Sequence, residues 1–357
     1  MKEREGSRRS IVGRGAAANP KNRFERIEVQ LDPGKTDAED PRPETVYLRD
    51  HSRSIVARND SPDIGFDASV NPYCGCAHGC AYCYARPTHG YLGLSAGLDF
   101  ESKILVKEGA PELLRKELSS PRWEPKVLSM SGVTDPYQPV ERRLGITRRC
   151  LEVLAEFRNP VAIVTKNHLV TRDVDLLSEL ARYDAAAVAV SLTTLDDGLR
   201  RVMEPRTSRP ARRLATVEKL AAVGIPVGVM TAPVIPGLND HELPALLSAA
   251  AEAGATFAAY VPVRLPYAVR PIFENWLERH YPERKEKVLN RIRSMRGGEL
   301  NDARFGSRMR GEGPFARHIA QLFSISCRRA GIGEGRFPRL STAAFCRDGG
   351  VQPSLFD

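Results

Sequence analysis

No stretch of this 357-residue chain approaches the roughly eighteen consecutive apolar residues that a membrane-crossing helix needs. The opening MKEREGSRRS also lacks an apolar signal core, so neither a membrane span nor secretion is expected. Cysteine is scarce and uneven: four of the seven fall between Cys74 and Cys83, which is not the spacing of a disulfide framework. That clustering points to a reducing, cytoplasmic setting. Acidic residues are outnumbered, 44 against 53 Lys and Arg, leaving a formal net charge of +9. Such a surface attracts polyanions, although charge does not determine fold. With 42% hydrophobic and 27% charged residues, the chain has the composition of one barrel-sized domain with appendages.

The most informative stretch runs from Asn71 to His89, NPYCGCAHGCAYCYARPTH, in which Cys76, Cys80 and Cys83 fit CxxxCxxC. Thiolates so spaced on a tight loop can reach three corners of one cuboidal iron–sulfur cluster and leave one iron without a protein ligand. Two alternatives stay open. A structural zinc site normally closes four ligands in two CxxC-like pairs, and a second pair is missing here. Cys74, which on a strand end would share a face with Cys76, could instead close the cluster with a fourth sulfur. His78 is expected to be exposed within the loop and His89 to cap local backbone.

Strand-like runs at Lys126–Met130, Val161–Thr165, Ala186–Leu192, Pro226–Met230 and Thr256–Val261 follow a first strand expected just before Cys74. Helical periodicity separates them at Arg148–Phe157, Arg172–Arg182, Pro210–Val223 and Glu242–Ala253. Thr171 and Asp240 stand where N-caps belong, and Gly224 and Gly254 where helices should end. The alternation predicts an α/β fold, a partial or full (β/α)6 barrel of parallel strands. Residues 1–45 are expected to be a basic extension and linker, disordered or laid over the surface. The barrel should occupy 46–270, a helical, Arg-rich region 271–346, and a tail 347–357. Within the third part, Ile272–Met295 carries one long charged helical pattern and another helix is expected around Arg317–Arg329.

In such a barrel the chemistry collects at the C-terminal ends of the strands. There the sequence has the cysteine loop, SGVTDPYQPVE, TKNH, SLTT, APVIPG and PVRLP, in strand order. In TDPYQPVE two prolines stiffen a loop offering Thr134, Asp135, Tyr137, Gln138 and Glu141, either to position substrate or as a structural turn. Arg206, in MEPRTSRP, could meet a carboxylate or phosphate bidentately. Cys150 sits inside a helical pattern and reads as a core thiol; Cys327 and Cys346 have no nearby ligand partners in sequence.

The run CxxxCxxCYARPTHGYLGLSAGLDFESKI with TDPYQPVE resembles the radical S-adenosylmethionine (SAM) group related to spore photoproduct lyase, over about Gly13 to Phe345. The resemblance implies a [4Fe-4S] cluster on Cys76, Cys80 and Cys83 whose open iron binds SAM, and an electron donor that reduces it. It also implies reductive cleavage to a 5′-deoxyadenosyl radical that abstracts hydrogen from a substrate. It places Tyr82, Ser131 and Gly132 near SAM, Lys166 on its carboxylate, Ser191 on its ribose, and Val234 and Ile235 against adenine. A turn, a salt-bridged lysine, a helix-capping serine and a plain loop are the respective alternatives for these segments. The implied substrate is nucleic acid, DNA before RNA, in repair or modification. The group's lyases use a further cysteine as hydrogen donor, and Cys150 is the single central thiol available for it. An enzyme modifying a peptide or small molecule, or a non-catalytic iron–sulfur protein that binds nucleic acid, remains the competing reading.

Two features bear on partners. Basic residues concentrate at both ends, among them Arg4, Arg8, Arg9, Arg14, Lys21 and Arg23, then Arg304, Arg308, Arg310, Arg317, Arg328, Arg329, Arg336 and Arg339. Neutralising ~5 phosphates would give a log–log salt slope of roughly −4 to −5; a solvated face is the plain alternative. The terminal Gln352-Pro353-Ser354-Leu355-Phe356 resembles the bacterial sliding-clamp-binding pentapeptide, with proline at its usual leucine position, so Gln352, Leu355 and Phe356 are candidate anchors.

Overall fold

Short runs of valine, isoleucine and alanine bury both faces when helices cover one side and packed side chains fill the other, which suits parallel strands. Six short strands form consecutive parallel neighbours: β1 (Ala68–Val70), β2 (Leu128–Met130), β3 (Val161–Thr165), β4 (Ala186–Ser191), β5 (Val227–Val234) and β6 (Phe257–Pro262). Every position of β4 is buried. The computed structural model describes residues 13–24, 44–130, 132–335 and 337–347. Among these, Val56–Arg58 pairs antiparallel with β1 and Gly333–Glu334 parallel with β6. The strands follow the expected parallel β/α order, and the two edges of the sheet do not pair with each other among the described residues.

The principal helices are α1 (Ala110–Ser119), α2 (Ile146–Phe157), α3 (Val174–Ala181), α4 (Pro210–Ala222) and α5 (Leu243–Glu252), one after each of the first five strands. Gly224 and Gly254 follow α4 and α5 with φ of +77° and +94°, as helix-ending glycines should. The expected N-caps are displaced. Thr171 lies inside a 3-10 turn, His168–Asp173, whose cap is Asn167, and the Asp240 carboxylate accepts from Gly237 N.

Ile272–Met295 is two helices, α6 (Val269–His280) and α7 (Pro282–Met295), because Pro282 cannot continue the first. Beyond them α8 (Gly313–Ala330) lies along α5 and brings the Phe323 ring 4.6 Å from Tyr260 on β6. Ile319, Phe323 and Cys327 thereby join the barrel's own core. Further on, Ser341 N donates to Asp184 O and Cys346 N to Phe157 O, so this segment crosses the end of the barrel where the strands begin. No helix among the described residues is long and apolar enough to cross a membrane.

Part of the N-terminal extension is packed rather than loose. Residues 13–24 lie over the cysteine loop, with Arg14 and Ala16 buried. A Cβ added to Gly15 would fall 1.9 Å from Gly79 O, so the two backbones touch. Periodicity could not reveal this contact, since the segment is irregular. Ser131, Arg4, Arg8, Arg9, Arg336 and the Gln352–Phe356 pentapeptide lie outside the described residues.

Candidate active site

After β1 the chain makes a two-residue strand, Tyr73–Cys74, and turns into the cysteine loop. Gly75 and Gly79 take φ of +85° and +68°, and a Cβ at either would strike His89 or Glu101 within 2.8 Å. Tight turns follow, with Gly79 N donating to Cys76 O, Cys83 N to Cys80 O and Arg86 N to Cys83 O. The loop is then clamped from three sides. Thr134 Oγ1 and Gln138 Nε2 donate to Gly75 O at 2.6 and 3.1 Å, and Gln138 Oε1 accepts from Ala77 N at 3.0 Å. Arg86 donates to Cys80 O from Nε and Nη2. Ala81 N and His78 O bond to Met203 O and Arg206 N respectively.

These bonds correct the reading of TDPYQPVE as a loop that offers its side chains to substrate. Tyr137, Gln138 and Glu141 are completely buried, and Thr134 and Asp135 nearly so. Asp135 accepts from Thr165 Oγ1, Lys166 N and Tyr137 N. Glu141 accepts from Tyr73 Oη and Thr147 N and pairs with Arg172 at 2.7 Å. The stiff loop serves as the frame of the cysteine loop. His78, expected to be exposed, is buried against Asp135 at 3.3 Å. Burial alone would lower its basicity, but the Asp135 charge and then Cys76 raise its pKa to about 10. His89 Nε2 reaches Lys103 O at 2.9 Å, a backbone contact as expected but across fourteen positions.

A second network, which motif reading missed, centres on Glu204. Its buried carboxylate accepts from Tyr82 Oη and Thr193 Oγ1 and pairs with Arg213, while Lys166 Nζ lies 3.8 Å away. Burial opposes the charge, yet Arg213, Lys166 and the two hydroxyl donors bring its pKa down to about 2. The signal available in sequence was a glutamate directly before the PRTSRP segment.

The radical SAM superfamily model matches residues 70–250, half of the chain. The chain belongs to the radical SAM superfamily. The family implies a [4Fe-4S] cluster and SAM. A Mycobacterium tuberculosis protein described as uncharacterised is 40% identical over 220 residues, 61% of this chain and 65% of that protein, so the match stops short of two thirds of its length. A radical SAM Nalpha-GlyT isomerase of Pseudomonas phage M6 is 27% identical over 175 residues, 48% of this chain and 34% of its own. Among solved structures, spore photoproduct lyase complexed with dinucleoside spore photoproduct superposes with a TM-score of 0.59 at 16% identity, covering 81% of this chain and 80% of that one. That likeness concerns the fold.

The thiols fit what the superfamily needs. Cys76, Cys80 and Cys83 are unpaired by disulfides; Cys80 feels the sulfurs of Cys83 and Cys76, and Cys83 feels that of Cys76. Burial first, then nearby negative charge including those sulfurs, pushes both thiols up. Among the described residues no three His, Cys, Asp or Glu side chains converge on one point, as a single-ion zinc site requires. A cuboidal cluster asks instead that each sulfur face its own iron. Cys74 looks elsewhere, its neighbours being Thr88, Asp50 and Lys107.

The remaining candidates divide. Tyr82 and Lys166 adjoin the cysteine loop, the Lys166 ammonium lying 5.8 Å from the Tyr82 ring centre. Ser191 ends β4 and is buried; it caps no helix, since Asp196 caps Asp197–Met203. Gly132 O accepts from Tyr84 Oη at 2.8 Å. Arg206 reaches Thr45 Oγ1 at 3.4 Å and carries no ion pair among the described residues. Val234 and Ile235 are core side chains, in two separate clusters, rather than an open apolar ledge. Cys150 is completely buried beside Leu151 and Leu154 in the main core.

Proposed function

We propose that this enzyme carries its [4Fe-4S] cluster on Cys76, Cys80 and Cys83, binds SAM beside Tyr82 and Lys166, and acts on nucleic acid, DNA before RNA. When bound, cluster and SAM together supply a 5′-deoxyadenosyl radical able to abstract hydrogen. The protein's own part is positional. Thr134, Gln138 and Arg86 fix the loop backbone, so the segment that carries the sulfurs is held before any ligand arrives. Glu204 fixes the Tyr82 hydroxyl and leaves the Lys166 ammonium at its edge, where it can exchange the 3.8 Å contact for a ligand carboxylate. Gly132, Ser191 and Arg206 border the same mouth and are assigned to SAM or substrate.

The observation carrying this reading is the presence of three free thiols on one braced loop that follows β1, at the C-terminal end of the parallel strands. Nucleic acid as substrate is supported by the +9 net charge and by the fold shared with spore photoproduct lyase over four fifths of the chain. Cys150 is sealed in the core, so hydrogen donation from that thiol does not fit, and the reading favours a lesion or modification other than spore photoproduct. Anaerobic reconstitution with iron and sulfide, then dithionite and SAM, should yield 5′-deoxyadenosine and methionine. With SAM deuterated at C5′, label should pass between the deoxyadenosyl group and DNA. Exchange with a peptide pool and none with DNA or RNA would move the substrate to another class.

A further inference from the structure

Where β3 ends, the chain opens a cavity of about 210 Å³ beside the mouth of the barrel. Four cations reach it from three elements: Arg142 from the end of TDPYQPVER, Arg172 from the turn before α3, and Arg212 and Lys219, two turns apart, from α4. Arg172 is already neutralised by Glu141 and Asp173 at 2.7 Å each. Arg142, Arg212 and Lys219 form no ion pair among the described residues, and all three are exposed. Convergence of like charges without a counter-charge is unfavourable unless an anion joins them. The floor is polar and ordered: Ser208 Oγ accepts from His168 N at 2.9 Å, and His168 Nδ1 meets Thr216 Oγ1 at 2.9 Å. Burial, then Arg212 and Lys219, hold the His168 imidazole below its ordinary basicity.

We propose that this cavity is a phosphate-binding subsite that holds a backbone phosphate of the nucleic-acid substrate; the proposal rests on the nucleic-acid reading above. Its place supports the assignment. Asn167, which lines the cavity, has Nδ2 3.3 Å from His78 Nε2, and His78 belongs to the cysteine loop. A phosphate here is therefore separated from the cysteine loop by the Asn167 and His78 side chains, on the face where the strands end. Arginine forks suit phosphate oxygens, and the Ser208 hydroxyl can add a donor.

The test is fluorescence anisotropy of reconstituted protein with labelled single- and double-stranded DNA and RNA over a range of salt. Wild type is compared with Arg142→Ala/Arg212→Ala/Lys219→Ala, with each single variant, and with Arg142→Lys/Arg212→Lys. On duplex the triple variant should lose about 2 to 3 from the log–log salt slope and at least about tenfold in low-salt affinity, each single variant about 1, while the lysine pair keeps the slope. Salt-dependent binding by wild type with an unchanged slope in all variants overturns the subsite and leaves the nucleic-acid reading standing. If wild type binds no oligonucleotide, that reading falls, and calorimetry with inorganic tripolyphosphate decides the cavity. Binding lost in the triple variant then supports a phosphate site for a small ligand, and no binding overturns it.

Discussion

Arg86 and Glu101 meet at 2.5 Å with neither side chain exposed to solvent. Each of the five N–H donors of Arg86 has an acceptor, on Cys80 O, Ala96 O, Gly97 O or Glu101 itself. Glu101 in turn accepts from Gly15 N and Ala16 N, and its backbone carbonyl accepts from Arg14. One buried pair thus joins the N-terminal segment, the cysteine loop and the turn at residues 96–97. Burying two charges is tolerable because all five Arg86 donors and both Glu101 carboxylate oxygens are hydrogen-bonded.

Removing one member strands the other. Glu101→Ala should cost about 3–5 kcal/mol in denaturant unfolding and depress iron incorporation, because an unpaired guanidinium stays inside. Arg86→Lys should be nearly as damaging, since an ammonium cannot reproduce the five-bond fork. The double variant Arg86→Met/Glu101→Leu should lose less than the two single losses combined. A Glu101→Ala protein with a wild-type unfolding midpoint would deny the pair its role.

The ligand assignment makes its own demand. Serine at Cys76, Cys80 or Cys83 should each abolish the visible absorbance and the iron and sulfide content of anaerobically reconstituted protein. Cys74→Ser should keep both, because that thiol sits among Thr88, Asp50 and Lys107. Cys150→Ala should also keep the cluster and lose only packing, about 1–2 kcal/mol, since its surroundings are Leu151 and other core residues. Loss of iron in Cys74→Ser would show that the cluster is closed by a fourth sulfur.

Local pattern was enough for the strands and the cysteine loop. Most of the strands are short valine-, isoleucine- or alanine-rich runs, largely buried, which leaves little ambiguity, and CxxxCxxC marks its loop by spacing alone. What local pattern lacks is direction and distant partnership. The prolines of TDPYQPVE correctly announced a stiff loop, but whether Gln138 faces solvent or Gly75 O depends on a segment sixty residues earlier. His78 in a polar loop looked exposed because the Asp135 that buries it lies outside the motif. Glu204 meets Tyr82 across 122 positions, and Gly15 meets Glu101 across 86, separations over which periodicity says nothing.

Glu204 gives a pH signature. Its folded pKa of about 2 lies below the ordinary 4.5, so the carboxylate contributes stability that is fully present above about pH 4.5 and fades as pH falls towards 2. The contribution is on the order of 3 kcal/mol. Glu204→Gln should be less stable than wild type at pH 7, where Arg213 loses its partner, and its stability should fall less steeply between pH 4.5 and 2. Urea unfolding at several pH values reads both. Parallel curves for the two proteins would mean that Glu204 is not held ionised by its neighbours.

The contact between Gly15 and Gly79 makes the N-terminal segment part of the site rather than an ornament. A methyl group at Gly15 has backbone atoms of Gly79 and Ala81 within 3.0 Å and no flexible side chain to push aside. Either the segment lifts or the cysteine loop shifts. Gly15→Ala should therefore cost about 1–3 kcal/mol and slow cluster reconstitution, whereas Gly65→Ala, which meets nothing within 4 Å, should do neither. Limited proteolysis distinguishes the two ways of yielding. If the segment lifts, cleavage near Arg14 or Lys21 rises sharply while the cluster still assembles; if the loop shifts, cleavage stays low and iron content falls. Unchanged cleavage, iron content and stability together would mean that the segment does not rest on the loop in solution.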